Sequence, residues 1–172
     1  GPKRIIPPAM QIIDLPEIDV VTVSHNHYDH LDIPSLKKLS AKNPKALFLV
    51  PKGDQKLLNR KGIKNTKEFL WWENIEIKGA KFTFTPTQHW SARGLADRNK
   101  SLWGGWFMSF PNFKSFHAGD SGYSKDFQDT QAKLGKPDLS LIPIGAYAPQ
   151  WFMKANHVNP EEALQVALDL GS

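Results

Sequence analysis

The sequence predicts an α/β fold, and three observations carry that expectation. Short apolar runs closed by turn residues, such as Ala46-Leu47-Phe48-Leu49-Val50 before Pro51, read as interior strands. Capped segments with helical spacing lie between such runs, the clearest being Pro160 to Leu170 behind Asn159 and ahead of Gly171. The side chains with metal-binding chemistry fall just past the ends of the strand-like runs, where loops at one edge of a sheet collect functional groups.

Residues 1 to 17 are rich in proline and include Ile5-Ile6-Pro7-Pro8, which predicts an irregular lead-in. A strand is expected over about 18 to 24. Asp32 then caps a helix with Pro34 in its first turn and Leu36 and Leu39 on one face. Residues 46 to 50 form the next strand, and Lys52 to Arg60 a helix ended by Gly62. From Glu73 to Thr85 apolar and polar residues alternate on either side of Gly79, the pattern of a hairpin whose second arm leads to His89. Residues 90 to 101 are polar and read as a loop over the site. Leu102 to Phe110 and Lys114 to Ala118 make a strand pair through Pro111-Asn112, and Asp120 follows the second arm. Ser124 to Leu134 reads as helix, Asp138 to Ile144 as strand, and Pro160 to Leu170 as helix, with Glu161 and Glu162 near its positive dipole end. No internal repeat, heptad or low-complexity segment interrupts this order.

With 172 residues, of which 40% are hydrophobic, the chain can bury one substantial core, so a single domain over 1–172 is expected. A formal charge of +5 and a pI near 9.4 favour contact with anions. Lysine and arginine are scattered, with no dense basic patch interleaved with aromatics, which argues against nucleic acid as a partner. The absence of cysteine excludes disulfides and thiolate metal sites and fits a reducing compartment. No run approaches the roughly 18 apolar residues of a membrane span, so the expected location is the cytoplasm or the periphery of a membrane.

The chemistry concentrates in Ser24-His25-Asn26-His27-Tyr28-Asp29-His30-Leu31-Asp32, directly after the apolar run Ile18 to Val23. Side chains two apart on an extended segment point the same way, so His25 and His27 can converge on one ion while the following turn re-aims Asp29 and His30. Neutral imidazole and carboxylate suit zinc, iron or manganese. A lone histidine in a polar loop more often satisfies a local hydrogen bond, but four nitrogen and oxygen donors at this density favour a metal. His117 faces opposite to the row of Ala118 and Asp120 and is assigned to packing or to support of the ligands. The chain has six tryptophans. Trp103 and Trp106, on an expected strand, are read as core, while Trp71, Trp72 and Trp151 are candidates to line a lipid groove.

The pattern His-x-His-x-Asp-His after a buried strand resembles the metallo-β-lactamase superfamily. The later motifs follow in order: His89 in Thr87-Gln88-His89-Trp90-Ser91, Asp120 in Ala118-Gly119-Asp120-Ser121-Gly122, and Gly145-Ala146-Tyr147 through His157. The flanking text, Ser91-Ala92-Arg93-Gly94 with Leu102-Trp103-Gly104-Gly105-Trp106, then Trp151-Phe152-Met153-Lys154 and His157-Val158-Asn159-Pro160-Glu161-Glu162-Ala163, is similar to the N-acyl-phosphatidylethanolamine phospholipase D branch and its bacterial RomA-like, metal-dependent hydrolase relatives. The resemblance implies an αβ/βα sandwich, here an incomplete copy that lacks the strands before the first motif and the C-terminal end. It also implies two divalent metal ions, zinc first, with iron or manganese as alternatives. His25, His27 and His89 would hold one, and Asp29 and His30 the other, together with a further histidine of the family that has no counterpart after His157. Asp120 would bridge them, so Asp29 and Asp120 are the candidate catalytic carboxylates, while Tyr28 and His157 match residues that contact the substrate.

The function so implied is hydrolysis of a phosphodiester by a metal-bound hydroxide, on a small molecule or an N-acylated phospholipid, with peripheral contact to a membrane. Two other readings stay open: a carbonyl-directed hydrolase of lactones, amides or thioesters on the same site, and an inactive metal-binding fragment that needs the missing segments. Ligand counting predicts that this polypeptide holds the first metal better than the second and is a poor catalyst alone.

Overall fold

Alternation along one strand decides the layering. In Leu47-Phe48-Leu49-Val50, Phe48 and Val50 are buried with Leu31, Leu36, Leu58 and Ile63, whereas Leu47 and Leu49 pack with Phe69, Phe82, Phe84 and Trp106. Successive side chains of a strand point to opposite faces, so this strand lies between a helical layer and a second sheet. The computed structural model describes residues 5–172. Its first sheet is parallel, β1 (Val20–Thr22), β2 (Leu47–Pro51) and β3 (Thr66–Phe69), in that order. Helices α1 (Ile33–Lys42) and α2 (Gln55–Arg60) follow β1 and β2, as crossovers between parallel strands must.

The second sheet runs β4 (Asn74–Ile77), β5 (Ala80–Thr85), β6 (Gly105–Phe110), β7 (Phe113–His117) and β8 (Leu139–Leu141). Its neighbours are antiparallel except for β7 and β8, which are parallel and joined through α3 (Asp126–Leu134). On its outer face Phe107, Phe116 and Ala118 pack with Phe127 of α3 and with Ala163, Val166 and Leu170 of α5 (Pro160–Leu170); the one-turn helix α4 (Gln150–Met153) lies between β8 and α5. The result is the expected αβ/βα sandwich. No helix among the described residues is long and apolar enough to cross a membrane.

Local chemistry explains most boundaries. Asp32 caps α1 by accepting from Ser35 N at 2.9 Å, and Asn159 caps α5 in a reciprocal box with Glu162. Lys78 and Gly79 both take positive φ, 50° and 79°, in the two-residue turn between β4 and β5, the combination that matches strand twist. Several elements depart from expectation. α2 starts at Gln55 rather than Lys52, because Gly53 at φ 106° cannot be helical. β3 had no sequence signal: Thr66-Lys67-Glu68-Phe69 is an edge strand whose outward residues are polar. β6 starts at Gly105, so Trp103 precedes the strand and is only half-buried, while Trp106 is fully buried as expected. β1 and β8 are shorter than expected, and α4 was not foreseen. From Ile5 the lead-in is irregular apart from a 3-10 turn at Ile12–Asp14, held to α1 by Lys42 Nζ donating to the carbonyls of Ile12, Ile13 and Leu15. The first four residues of that expected segment lie outside the described residues.

Candidate metal centre

Four chain segments that leave strand or helix ends converge on one point. After β1 the backbone is fastened on both sides of Ser24: Trp106 Nε1 donates to Val23 O at 2.9 Å and Gly104 N to Ser24 O at 3.0 Å. His27 to Leu31 then curls into a turn, with His30 N and Leu31 N both donating to His27 O. Past β5, Gln88 pairs with Gly122, which sets His89 beside the segment that follows β7 and carries Asp120. His157 N donates to Met153 O and Val158 N to Ser121 O, which brings the loop between α4 and α5 to the same place. Gly119 is required here: its φ is +65°, and a Cβ would come within 2.6 Å of the Ser24 side chain.

The donor atoms form three overlapping groups, His25 with His27 and His89, His25 with His30 and Asp120, and His89 with Asp120 and His157, each with its atoms within 4.8 Å of one another. His27 Nδ1 lies 2.9 Å from His25 Nε2 and 3.3 Å from His89 Nε2. Asp120 Oδ2 sits among four imidazoles, 3.1 Å from His30 Nε2, 3.9 Å from His157 Nδ1 and 4.0 Å from both His25 Nε2 and His89 Nε2.

Burial and neighbours set the charge states. Burial, reinforced by the surrounding imidazoles, lowers the His25 pKa to about 2, and burial lowers His89 to about 4 against the opposing pull of Asp120. Burial also lowers His27. For His30 burial acts in the same direction, but the hydrogen bond and charge of Asp120 outweigh it and raise the pKa. Burial would raise Asp120, yet the bond from His30 and the nearby imidazoles hold its carboxyl well below the usual carboxylate range.

These residues fit a cation. His89 Nδ1 faces the carbonyl of Asn156 at 3.0 Å, which only accepts, so the proton is on Nδ1 and Nε2 presents a bare lone pair. His25 Nδ1 is 3.0 Å from Ser24 Oγ, which likewise leaves Nε2 facing inward. Three largely neutral rings thus turn nitrogens toward one another at 2.9 and 3.3 Å, while the outer Nε2 of His27 is buried without a partner. Lone pairs this close repel unless a proton or metal lies among them, and two imidazole nitrogens on one tetrahedral zinc would stand roughly 3.3 Å apart. The donor set of imidazole and carboxylate, without thiolate, matches a borderline or hard divalent ion.

The remaining sequence candidates are placed less centrally. Asp29 belongs to none of the three close groups; its side chain is 80% exposed and its Oδ2 lies 3.6 Å from His30 Nε2. Tyr28 is exposed, with its hydroxyl donating to Arg93 O at 2.8 Å. His157, assigned by resemblance to the substrate, stands within the donor cluster. His117 pairs with Trp106 across β6 and β7 and is outside the donor groups. Trp71 donates from Nε1 to Trp103 O at 2.6 Å, and Trp151 is 86% exposed on α4. Sequence reasoning assigned no role to Ser24, to Arg93 or to Asp54, which accepts from Asn26 Nδ2 at 3.1 Å. Short polar residues in loops carry no signal until their partners are known.

A family model described as a beta-lactamase superfamily domain matches residues 1–172. The chain is 44% identical over 177 aligned positions to N-acyl-phosphatidylethanolamine-hydrolyzing phospholipase D 1 of Caenorhabditis elegans, covering 96% of this chain and 49% of that protein. It is 42% identical over 177 positions to the mitochondrial N-acyl-phosphatidylethanolamine-hydrolyzing phospholipase D of Saccharomyces cerevisiae, covering 99% of this chain and 38% of that one. The chain therefore spans half the length of these relatives or less. Among solved structures, the metallo-beta-lactamase fold protein YhfI of Bacillus subtilis superposes with a TM-score of 0.67 at 21% identity, covering 95% of this chain and 64% of that one.

Proposed function

The chain belongs to the beta-lactamase superfamily domain family, and from that membership we propose that it is a metal-dependent hydrolase of phosphodiesters, acting on the head-group side of an N-acylated phospholipid. The observation that carries the reading is the convergence of His25 Nε2, His27 Nδ1 and His89 Nε2 beside the Asp120 carboxylate. The similarity to phospholipases in two organisms supports the substrate class.

His25, His27 and His89 would hold one divalent ion, and His30 and Asp120 would contribute to a second, with the exposed Asp29 3.6 Å from His30; zinc suits these donors, as do iron and manganese. When bound, such ions supply Lewis acidity, acidifying a water and drawing charge from phosphoryl oxygens. The chain's own residues do the rest. Asp120 stays ionised among its imidazoles and would offer a negative charge to any cation held there. Ser24 Oγ and the Asn156 carbonyl hold the rings of His25 and His89 in orientation, and the carbonyl, which only accepts, keeps the inward Nε2 of His89 unprotonated. Trp90 lies with its ring centroid 4.3 Å from that of His27 and shields that side from water. His157, 3.9 Å from Asp120 in the loop after α4, would orient a phosphate oxygen, and the exposed Tyr28 would contact the substrate. The exposed Trp151 and Phe152 of α4 would meet the lipid surface, placing the protein at a membrane periphery or in the cytoplasm beside it.

The test is hydrolysis of N-acylated phosphatidylethanolamine vesicles by the zinc-loaded chain, with phosphatidic acid release as the readout and a lactone, amide and thioester panel alongside. Release from the phospholipid supports the proposal. Turnover confined to the carbonyl substrates moves the reading to the alternative hydrolase. Zinc binding with no turnover of any substrate leaves a metal-binding fragment.

A further inference from the structure

The polar loop from Ser91 to Ser101 supplies none of the clustered donors, yet one of its side chains grips the backbone that does. Arg93 Nη1 donates to the carbonyls of Asn26 and Leu31, each at 2.8 Å. Those two carbonyls flank the turn His27–His30, which contains the clustered donors His27 and His30 and the exposed Tyr28. The same guanidinium lies over the Tyr28 ring, 4.1 Å from its centroid, and the Tyr28 hydroxyl returns a hydrogen bond to Arg93 O at 2.8 Å. Arg93 is itself fixed from behind, because the Asp97 carboxylate accepts from Arg93 N at 3.1 Å and from Gly94 N at 2.8 Å. A chain of contacts thus runs from Asp97 through Arg93 to both ends and the middle of the histidine turn.

We propose that Arg93 is a positioning residue for the candidate metal centre, its guanidinium fixing the curvature of the His27–His30 turn and so the separation of the His27 and His30 donors. The inference rests on the reading that these histidines hold metal. Without the clasp, the carbonyls of Asn26 and Leu31 lose their donor, and what remains at the centre of the turn is the pair of bonds to His27 O. A lysine would keep the charge and could still donate to a carbonyl, as Lys42 does, but it lacks the planar guanidinium that lies on the Tyr28 ring while it bonds the backbone. The alternative, that Arg93 acts only through its charge, makes the opposite prediction, since removing a cation near a divalent ion tightens binding. Tyr28 gains a second meaning: its hydroxyl proton is committed to Arg93, so the ring is held as part of the wall.

The experiment is chelator competition for zinc in the whole chain, comparing the parent with Arg93→Ala and Arg93→Lys, with far-UV circular dichroism of each. Arg93→Ala is expected to release zinc about tenfold more readily, at the lower end of effects seen for groups that orient ligands. Arg93→Lys should fall between, and added methylguanidinium should recover retention in the alanine variant. Zinc retention in both variants equal to or tighter than the parent overturns the inference while leaving the metal reading intact. If the parent itself takes up no zinc, the metal reading fails, and this one with it. Should Arg93→Ala not fold, hydrogen exchange of the amides of residues 27–31 in metal-free Arg93→Lys decides the matter: about tenfold faster exchange than in the parent is expected, and an unchanged rate sinks the clasp.

Discussion

The side-chain amide of Asn26 donates to Asp54 Oδ1 at 3.1 Å, so the residue between two candidate ligands is fastened to the one that begins α2. Both partners are buried, and the amide oxygen Asn26 Oδ1 and the second carboxylate oxygen Asp54 Oδ2 have no hydrogen-bond partner among the described residues. The histidine loop is therefore tied into the first sheet's helical layer by a polar contact buried from water.

That burial has a measurable sign. It raises the Asp54 carboxyl from 3.8 to about 6, so the folded state holds its proton more tightly than the unfolded chain. Asp54 therefore penalises folding as pH rises from about 4 to about 6, and the penalty, of order 3 kcal/mol at most, is complete above that window. Asp54→Asn should melt higher than the parent at pH 7, with the gap closing as pH falls toward 4. Comparing the two proteins cancels the titration of the histidines they share. A gap that stays constant with pH would refute the assignment.

Removing the central carboxylate should be severe. Asp120→Asn or His27→Ala is expected to weaken zinc retention more than about 100-fold, beyond the range for groups that merely orient ligands, and to abolish phosphodiester hydrolysis. Elemental analysis after gel filtration, beside a turnover assay, checks both. Full activity in either variant would remove the proposed mechanism.

Metal loading should stabilise the fold, because a cation replaces repulsion among the inward lone pairs of His25, His27 and His89. At a free zinc concentration 100 times the dissociation constant, the gain is about 2.7 kcal/mol, or a rise of roughly 5 to 11 °C in melting temperature. Scanning calorimetry with and without chelator reads it. No shift at saturating zinc contradicts the site.

The box that starts α5 can be tested alone. Asn159 accepts from Glu162 N at 2.8 Å while Glu162 Oε2 accepts from Asn159 N at 3.1 Å. Asn159→Ala should cost about 1 kcal/mol, or roughly 2 to 4 °C. α5 packs Val166 and Leu170 against the second sheet, so thermal unfolding of the whole chain reports the loss.

On α4, Trp151 and Phe152 are 86% and 64% exposed. Replacing both with serine should leave the melting temperature nearly unchanged, as for most exposed positions. Sedimentation with phospholipid vesicles should fall several-fold, and undiminished binding would end the membrane-facing role proposed for α4.

Strands with two covered faces and helices with strong caps were legible from local pattern alone. β2, the hairpin of β4 and β5, and α5 lie within a residue or two of expectation because each rests on neighbours in sequence. β3 was not legible, since an edge strand with polar outward residues looks like loop until β2 is seen beside it. Trp103 was misplaced because Gly104 and Gly105 let the chain enter the sheet later than hydrophobicity suggests.

Residue type and short spacing settled the donor chemistry and the α/β class before any coordinates, since both depend on interactions within a few positions. Which nitrogen of His27 faces inward, that Asp120 is ringed by His25, His30, His89 and His157, that Asp29 stands aside, and that Arg93 grips the histidine turn were decided only by packing. The reason is physical: those distances are fixed by segments about 30 to 130 residues apart meeting at one point, and nothing in the order of residues along a chain encodes an ångström.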